Sequence, residues 1–231
     1  MSAGNHSLRW VRPPQQARSQ ETLGRILDAA EALVAEKGFE DAPVAEIVRR
    51  AGSSVGAFYA RFRDKDGLIH ALYERFLEQA TATADEALDP ARWEGAGIAE
   101  ILDSVVGFLV RIYREQEGLI RAFVLRNHTH PEFQARQERL SHYVSERLAA
   151  LVLQRRSEIT HPDPECAVRF GLTQTFSTVE DTILFGELRS GSLVLSDDRL
   201  ATELARAYLA YLGVPVPSFD SRARPQEESD E

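Results

Sequence analysis

One cysteine, Cys166, stands in 231 residues, so no disulfide can form within the chain. A lone thiol suits a compartment where thiols stay reduced, and a cytoplasmic location is expected. Long apolar runs are missing too. None approaches the roughly 18 residues of a membrane span. After Arg9 and Arg12 no apolar stretch follows until Leu23, so a secretory leader is not expected. A glycine-rich phosphate loop, paired Cys/His zinc spacing and a nucleophile elbow are all lacking. These gaps argue against the commoner enzyme classes, and no cofactor is expected. Positive charge is scarce: 27 Lys and Arg against 36 Asp and Glu give a net charge of −9.

That deficit is unevenly spread. Residues 1–65 hold ten basic and eight acidic residues, or +2; the remainder holds 17 basic and 28 acidic, or −11. A surface that meets phosphate therefore belongs in the first third, while the acidic bulk is repelled by it. With 43% hydrophobic residues the chain can bury a sizeable core.

Helical period dominates. Leu23, Ile26, Leu27, Ala30, Leu33 and Val34 share a face, and Gly38 supplies a stop. Pro43 to Arg50 forms a shorter segment ending at Gly52, with Pro43 suited to a first turn. A brief helix over Ser54–Ala60 follows, with Ser53 or Ser54 as its cap and Phe58 and Phe62 for the core. Asp64 caps a long helix running into the 80s. Residues 88–97 read as a loop, and helical periods recur at about 98–116, 118–127, 131–157, 165–189 and 197–212. Nothing reads convincingly as a strand; Ser192–Leu195 is the nearest candidate and is too short. The expectation is an all-α fold of about nine helices. A three-helix DNA-binding unit spans 19–65 and a larger helical unit 66–217, between a mobile arm (1–18) and a disordered tail (218–231).

A glycine turn between the second and third of three short helices is the arrangement that lays one helix in a major groove. The stretch Ala51-Gly52-Ser53-Ser54-Val55-Gly56-Ala57-Phe58-Tyr59-Ala60-Arg61-Phe62-Arg63-Asp64-Lys65-Asp66-Gly67-Leu68 closely resembles the signature of the TetR family of regulators. The likeness extends upstream through Ile26-Leu27-Asp28-Ala29-Ala30 and Lys37-Gly38-Phe39. It departs at Ser53, where the family usually has valine, and at Pro43, where a capping threonine is common. The residues have physical reasons of their own. Gly56 and Ala57 are small enough for close approach to base edges, and Ala57 can touch a thymine methyl. Tyr59 offers a hydroxyl to phosphate, and Lys65 a charge near the start of the next helix. The resemblance implies phosphate contacts for Tyr59 and Lys65, groove contacts for Ser54, Val55, Gly56 and Ala57, and a backbone or base contact for Arg61. Arg9, Arg12 and Arg18 suit a basic arm in a minor groove, or an arm that merely solubilises.

One short reading helix distinguishes only a few base pairs, so two copies on a palindromic double-stranded operator are expected. The last two long helices, with Leu172, Phe176, Val179, Ile183, Leu204, Tyr208 and Tyr211, are the expected homodimer surface. The resemblance implies a four-helix bundle there; an ordinary intrachain core is the other reading of the same stripes. A small-molecule effector is expected among the middle helices, with Phe108, Ile112, Phe123, Arg126, His128, Phe133, Tyr143 and Gln174 as lining. The expected function is a ligand-released repressor. An activator would share the signature, since the sign of regulation depends on where the operator lies. Two other classes are open to the sequence: an enzyme, with His128, His130, Glu138 and His142 as a conceivable metal set, and a ligand-binding module whose reading head has lost DNA affinity. The metal set reads better as loop and surface histidines. Tyr59, Lys65 and the small pair at 56–57 speak against a lapsed head.

Overall fold

Apolar residues three and four apart make α1 (Ala17–Lys37) an amphipathic helix, and Ile26, Leu27, Ala30, Leu33 and Val34 are all buried along it. The computed structural model describes residues 17–127, 130–186, 189–190 and 193–216. The expected arm, apart from residues 17 and 18, the expected tail and His128 fall outside these.

Eight further helices follow among the described residues: α2 (Val44–Arg50), α3 (Val55–Tyr59), α4 (Lys65–Ala87), α5 (Ile98–Glu115), α6 (Glu117–Asn127), α7 (Pro131–Leu153), α8 (Pro164–Phe185) and α9 (Asp197–Leu212). Side chains start several of them. Asp64 accepts from the Gly67 amide at 2.8 Å and Asp163 from the Cys166 amide at 3.1 Å. The fold is all-α, with one ladder among the described residues, two residues per strand, Arg189–Ser190 against Leu193–Val194.

Boundaries depart from the periodic reading in three places. The stretch expected as a loop at 88–97 contains a 3-10 turn, Pro90–Trp93, whose buried indole donates to the Ala87 carbonyl at 2.7 Å. Helix α7 stops at Leu153, and just beyond it Arg155 lays its guanidinium on the Trp93 and Ala96 carbonyls, at 2.5 Å each. Helix α8 ends at Phe185, before Gly186.

The first hydrophobic cluster does not respect the expected boundary at residue 65. It unites Ile26, Leu33, Ile47, Phe58 and Phe62 with Leu72 and Tyr73 of α4, Phe123 of α6 and Phe133 of α7. The three-helix head thus shares its core with the larger region. A second cluster joins α5, α7, α8 and α9 through Ile101, Leu148, Val168 and Leu209, and a third holds Val110, Ile120, Val124 and Val179. Helix α6 lies so close to α1 that a Cβ on Gly118 would stand 2.7 Å from the Val34 carbonyl oxygen and 2.8 Å from Ala35 Cα. Only glycine fits there.

His70, on α4, rests on the Phe133 ring with centroids 4.5 Å apart. Burial, followed by the nearby Arg136 charge, lowers its pKa to about 4. The unfolded chain, with a histidine near its ordinary 6.5, then binds more protons than the fold between pH 6.5 and about 4. Stability should fall as pH drops through that window. Urea midpoints measured across it should fall less steeply for His70→Gln, and equal slopes would contradict the assignment.

Candidate nucleic-acid interface

Gly52, with φ 56°, makes the corner between α2 and α3 in a left-handed conformation that glycine adopts without strain. Ser54 then closes the first turn of α3, its hydroxyl accepting from the Ala57 amide at 3.1 Å. Helix α3 is fastened from below by Phe58, which is fully buried against Phe62 with ring centroids 4.9 Å apart. Fixing that face leaves the other outward. Val55 is 46% and Tyr59 50% exposed, Gly56 is exposed and Ala57 half-buried. The Tyr59 ring meets Phe58 edge-on at 5.2 Å, which holds its hydroxyl end away from the core.

The cations divide into two groups. Arg50 is bonded to Glu36 at 2.5 and 2.6 Å, and Lys37 to Glu46 at 2.6 Å, so both brace α2 against α1. Hydrogen bonding from Arg50 and from Lys37 pulls Glu36 and Glu46, respectively, below the ordinary carboxylate range. Arg61 is also occupied within the protein. Its guanidinium donates to the Ala57 carbonyl at 2.7 Å and to the Ser19 hydroxyl and carbonyl at 3.0 and 3.2 Å. It ties the first turn of α1 to α3. Arg49 and Arg63 form the second group, with side chains 74% and 92% exposed and only distant partners, Glu46 at 3.8 Å and Asp64 at 3.9 Å. Nothing in the spacing of Arg49 and Arg63 along the sequence separates them from Arg50; their surroundings do.

Lys65 donates to the Glu40 carbonyl at 2.9 Å, and its ammonium lies 4.5 Å from the Phe39 ring centre. Burial there, with Arg126 also repelling it, lowers its pKa, although Glu40 and other carboxylates oppose the shift. The Arg126 guanidinium sits over the same ring at 4.5 Å, with Asp66 at 3.4 Å and Glu40 at 3.5 Å. Expected in an effector cavity, Arg126 stands instead where the last turn of α6 abuts the α1–α2 turn. Helix α6 thus touches the head at both ends, through Gly118 and through Arg126.

The remaining expected lining residues do not converge. Phe123 and Phe133 meet around Tyr73, with ring centroids 4.7 Å from it in both cases. Phe108 and Ile112 are half-buried on α5, Tyr143 donates to Asp85 at the surface, and Gln174 is exposed on α8. Tyr113 and Glu180, not foreseen as a pair, meet at 3.4 Å between α5 and α8. Two clefts open elsewhere: one of about 470 Å³ beside Gly95 and Arg155, and one of about 340 Å³ between α1, α4 and the α5–α6 junction. Of the expected dimer residues, Leu172, Val179, Ile183 and Tyr208 are buried inside the protomer, and Tyr208 donates to the Val168 carbonyl. Phe176 and Leu204 are half-buried and Tyr211 is exposed. Beside Tyr211, the outward faces of α8 and α9 present Phe170 and Phe185, the latter at 80% exposure.

Sequence patterns of known families match both parts of the chain. That described as "Bacterial regulatory proteins, tetR family" matches residues 26–72, and "Tetracyclin repressor-like, C-terminal domain" matches 98–212. The chain belongs to the TetR family. The family's pattern is that of bacterial regulatory proteins. Among curated relatives, it is 36% identical over 84 residues to the HTH-type transcriptional regulator BetI of Escherichia coli O45:K1, covering 36% of this chain and 42% of BetI. It is 34% identical over 71 residues to the A-factor receptor protein of Streptomyces griseus, covering 31% and 24%. The matches thus span less than half the length of these relatives. Solved TetR structures share the fold over far more of the chain. A family member from Mesorhizobium loti superposes with a TM-score of 0.65 at 20% identity, covering 84% of this chain and 98% of that one. SmeT, the repressor of the Stenotrophomonas maltophilia multidrug efflux pump SmeDEF, gives 0.61 at 22% identity, covering 90% and 99%. No helix among the described residues is long and apolar enough to cross a membrane.

Proposed function

We propose that this TetR-family chain is a repressor that binds a palindromic operator as a homodimer and leaves it when a small molecule enters the C-terminal helical region. The observation that carries the reading is the uncovered face of α3. Val55, Gly56 and Ala57 face the base edges, Tyr59 gives its hydroxyl to a phosphate, and Ser54 spends its own on the helix cap. Lys65 exchanges the Glu40 carbonyl for a phosphate, a move favoured because burial disfavours its charge where it now lies. Arg49 and Arg63 extend the grip along the strands, and Arg61 acts by holding α3 in place. Residues 19–65 form the reading head and 66–217 the regulatory region, coupled through their common core. Two heads about 34–36 Å apart would suit successive turns of one groove. The proposed dimer face is the outward side of α8 and α9, through Phe170, Gln174, Phe185 and Tyr211, with Leu172, Phe176, Val179, Ile183, Leu204 and Tyr208 as the layer beneath.

Release follows from α6. An effector that displaces this helix moves Gly118 along α1 and lifts Arg126 from Phe39, which shifts the head relative to its twin. Such a ligand works only through its different affinities for the two arrangements, typically about 1–3 kcal/mol. The curated relatives named as regulators support a regulator over an enzyme.

Duplex affinity measured against salt tests the head assignment. Lys65→Ala should lower the slope of log K against log salt by about one unit, and Tyr59→Phe should weaken binding at every sequence. If Lys65→Ala left both affinity and slope unchanged, its phosphate contact would be excluded.

A further inference from the structure

We infer that residues 1–18 make a second DNA contact, with Arg9 and Arg12 in the minor groove beside the half-site that α3 meets. The inference rests on the reading of α3 as the helix in the major groove. Charge is its first support. Residues 1–18 hold three arginines, Arg9, Arg12 and Arg18, and no acidic residue, or +3. Residues 19–65 hold the other seven of the ten basic residues and all eight acidic ones, or −1. Three of those seven are engaged within the protein: Arg50 with Glu36, Lys37 with Glu46, and Arg61 with Ser19 and Ala57. Phosphate contacts supply much of the affinity for a duplex. The positive surplus of the first third stands wholly before Ser19.

Geometry is the second support. The Arg61 guanidinium donates to the Ser19 hydroxyl and carbonyl at 3.0 and 3.2 Å and to the Ala57 carbonyl at 2.7 Å. The first turn of α1 is thus pinned one side chain away from α3, and the chain before Ala17 starts beside the groove helix. A minor groove lies half a helical turn to either side, about 17 Å along the axis. Pro13-Pro14 stands between Arg12 and α1. Consecutive prolines favour extended backbone, and at its rise the stretch from Arg12 to Ala17 spans about 16 Å and that from Arg9 about 25 Å. Those lengths bracket the distance. A guanidinium suits the minor groove of A·T tracts, which is narrow, strongly negative and floored by acceptors alone. An A·T-rich flank beside each half-site is therefore expected.

Selection from a random-sequence duplex pool by the full-length protein and by its Arg9→Ala/Arg12→Ala variant tests this. Both substitutions precede α1, so helical circular dichroism should not change. The two proteins should enrich the same central repeat, and only the wild type should add A·T pairs at the flanks. On the enriched duplex the variant should bind about tenfold or more weakly, with a salt slope smaller by up to about two units. Inosine·C in place of a flanking A·T keeps the minor-groove acceptors, whereas G·C adds an amino group there. The wild type should tolerate the first and lose about tenfold with the second, and the variant should treat both alike. Equal affinity and slope for the two proteins, or a wild type indifferent between inosine·C and G·C flanks, would overturn this contact and leave α3 as the reader. A pool that the wild type does not enrich would overturn both.

Discussion

Gly118→Ala should cost the protein most of its affinity for DNA without any effector present. A Cβ at this position meets backbone, the Val34 carbonyl oxygen at 2.7 Å and the Ala35 Cα and oxygen at 2.8 and 2.9 Å, and backbone cannot rotate away as a side chain would. Helix α6 must therefore separate from α1 by several tenths of an ångström. Overpacking of this kind costs about 1–3 kcal/mol, and alanine's better helix propensity offsets at most about 1 kcal/mol of it. The fold should survive with a lowered urea midpoint. The head, tied to α6 at both ends, should not keep its operator-binding orientation, and affinity should fall about tenfold or more, as for a coupling of 1–3 kcal/mol. Gel shifts on the selected operator and urea titrations measure the two effects separately. Unchanged affinity in a destabilised Gly118→Ala protein would show that α6 does not set the head's position.

Phe58→Ala is expected to have the largest effect on stability. The ring is fully buried and is the one apolar anchor of a helix only five residues long, too short to persist by its own hydrogen bonds. Truncating a buried phenylalanine costs about 3–5 kcal/mol, a large part of the roughly 5–15 kcal/mol by which a domain is stable. Tyr59, which leans edge-on against Phe58, would lose its support as well. Because the same cluster includes Leu72, Tyr73 and Phe123, the loss should be felt beyond the head. Amide exchange should quicken in α1 to α3 and in the first half of α4, and duplex binding should vanish. A loss of less than about 1 kcal/mol would mean that α3 is held by something other than this ring.

The helices were legible because their signals are local. Gly38 after an apolar stripe, Gly52 at a corner, Asp64 before a long amphipathic run and Pro131 at a helix start each act within a few residues. The Pro90–Trp93 turn escaped because a single 3-10 turn has no period to detect. Which way a stripe faces is a different matter. Val168, Leu172, Val179 and Ile183 recur as a dimer seam would, yet they pack within the protomer, and the exposed Phe170 and Phe185 stand off that stripe. Helical spacing says that a face is covered, not by which chain. Arg126 shows the same limit. Its polar character in an apolar segment suggested a ligand, whereas its neighbours are Phe39 and Glu40, more than 80 residues earlier. In the head, the small pair at 56–57, Tyr59 and Lys65 could be named from the signature, but Arg61's engagement with Ser19 and the freedom of Arg49 and Arg63 depend on how α1 and α3 cross.

Selection of bound fragments from a random-sequence duplex pool by the full-length protein tests the central claim most directly. Recovery of an inverted repeat with half-site centres one helical turn apart, or a whole multiple of it, and a changed preference when Val55 or Ala57 is substituted, is the predicted result. A pool returned without enrichment by the folded wild-type protein would contradict the reading of α3 as the element that meets DNA.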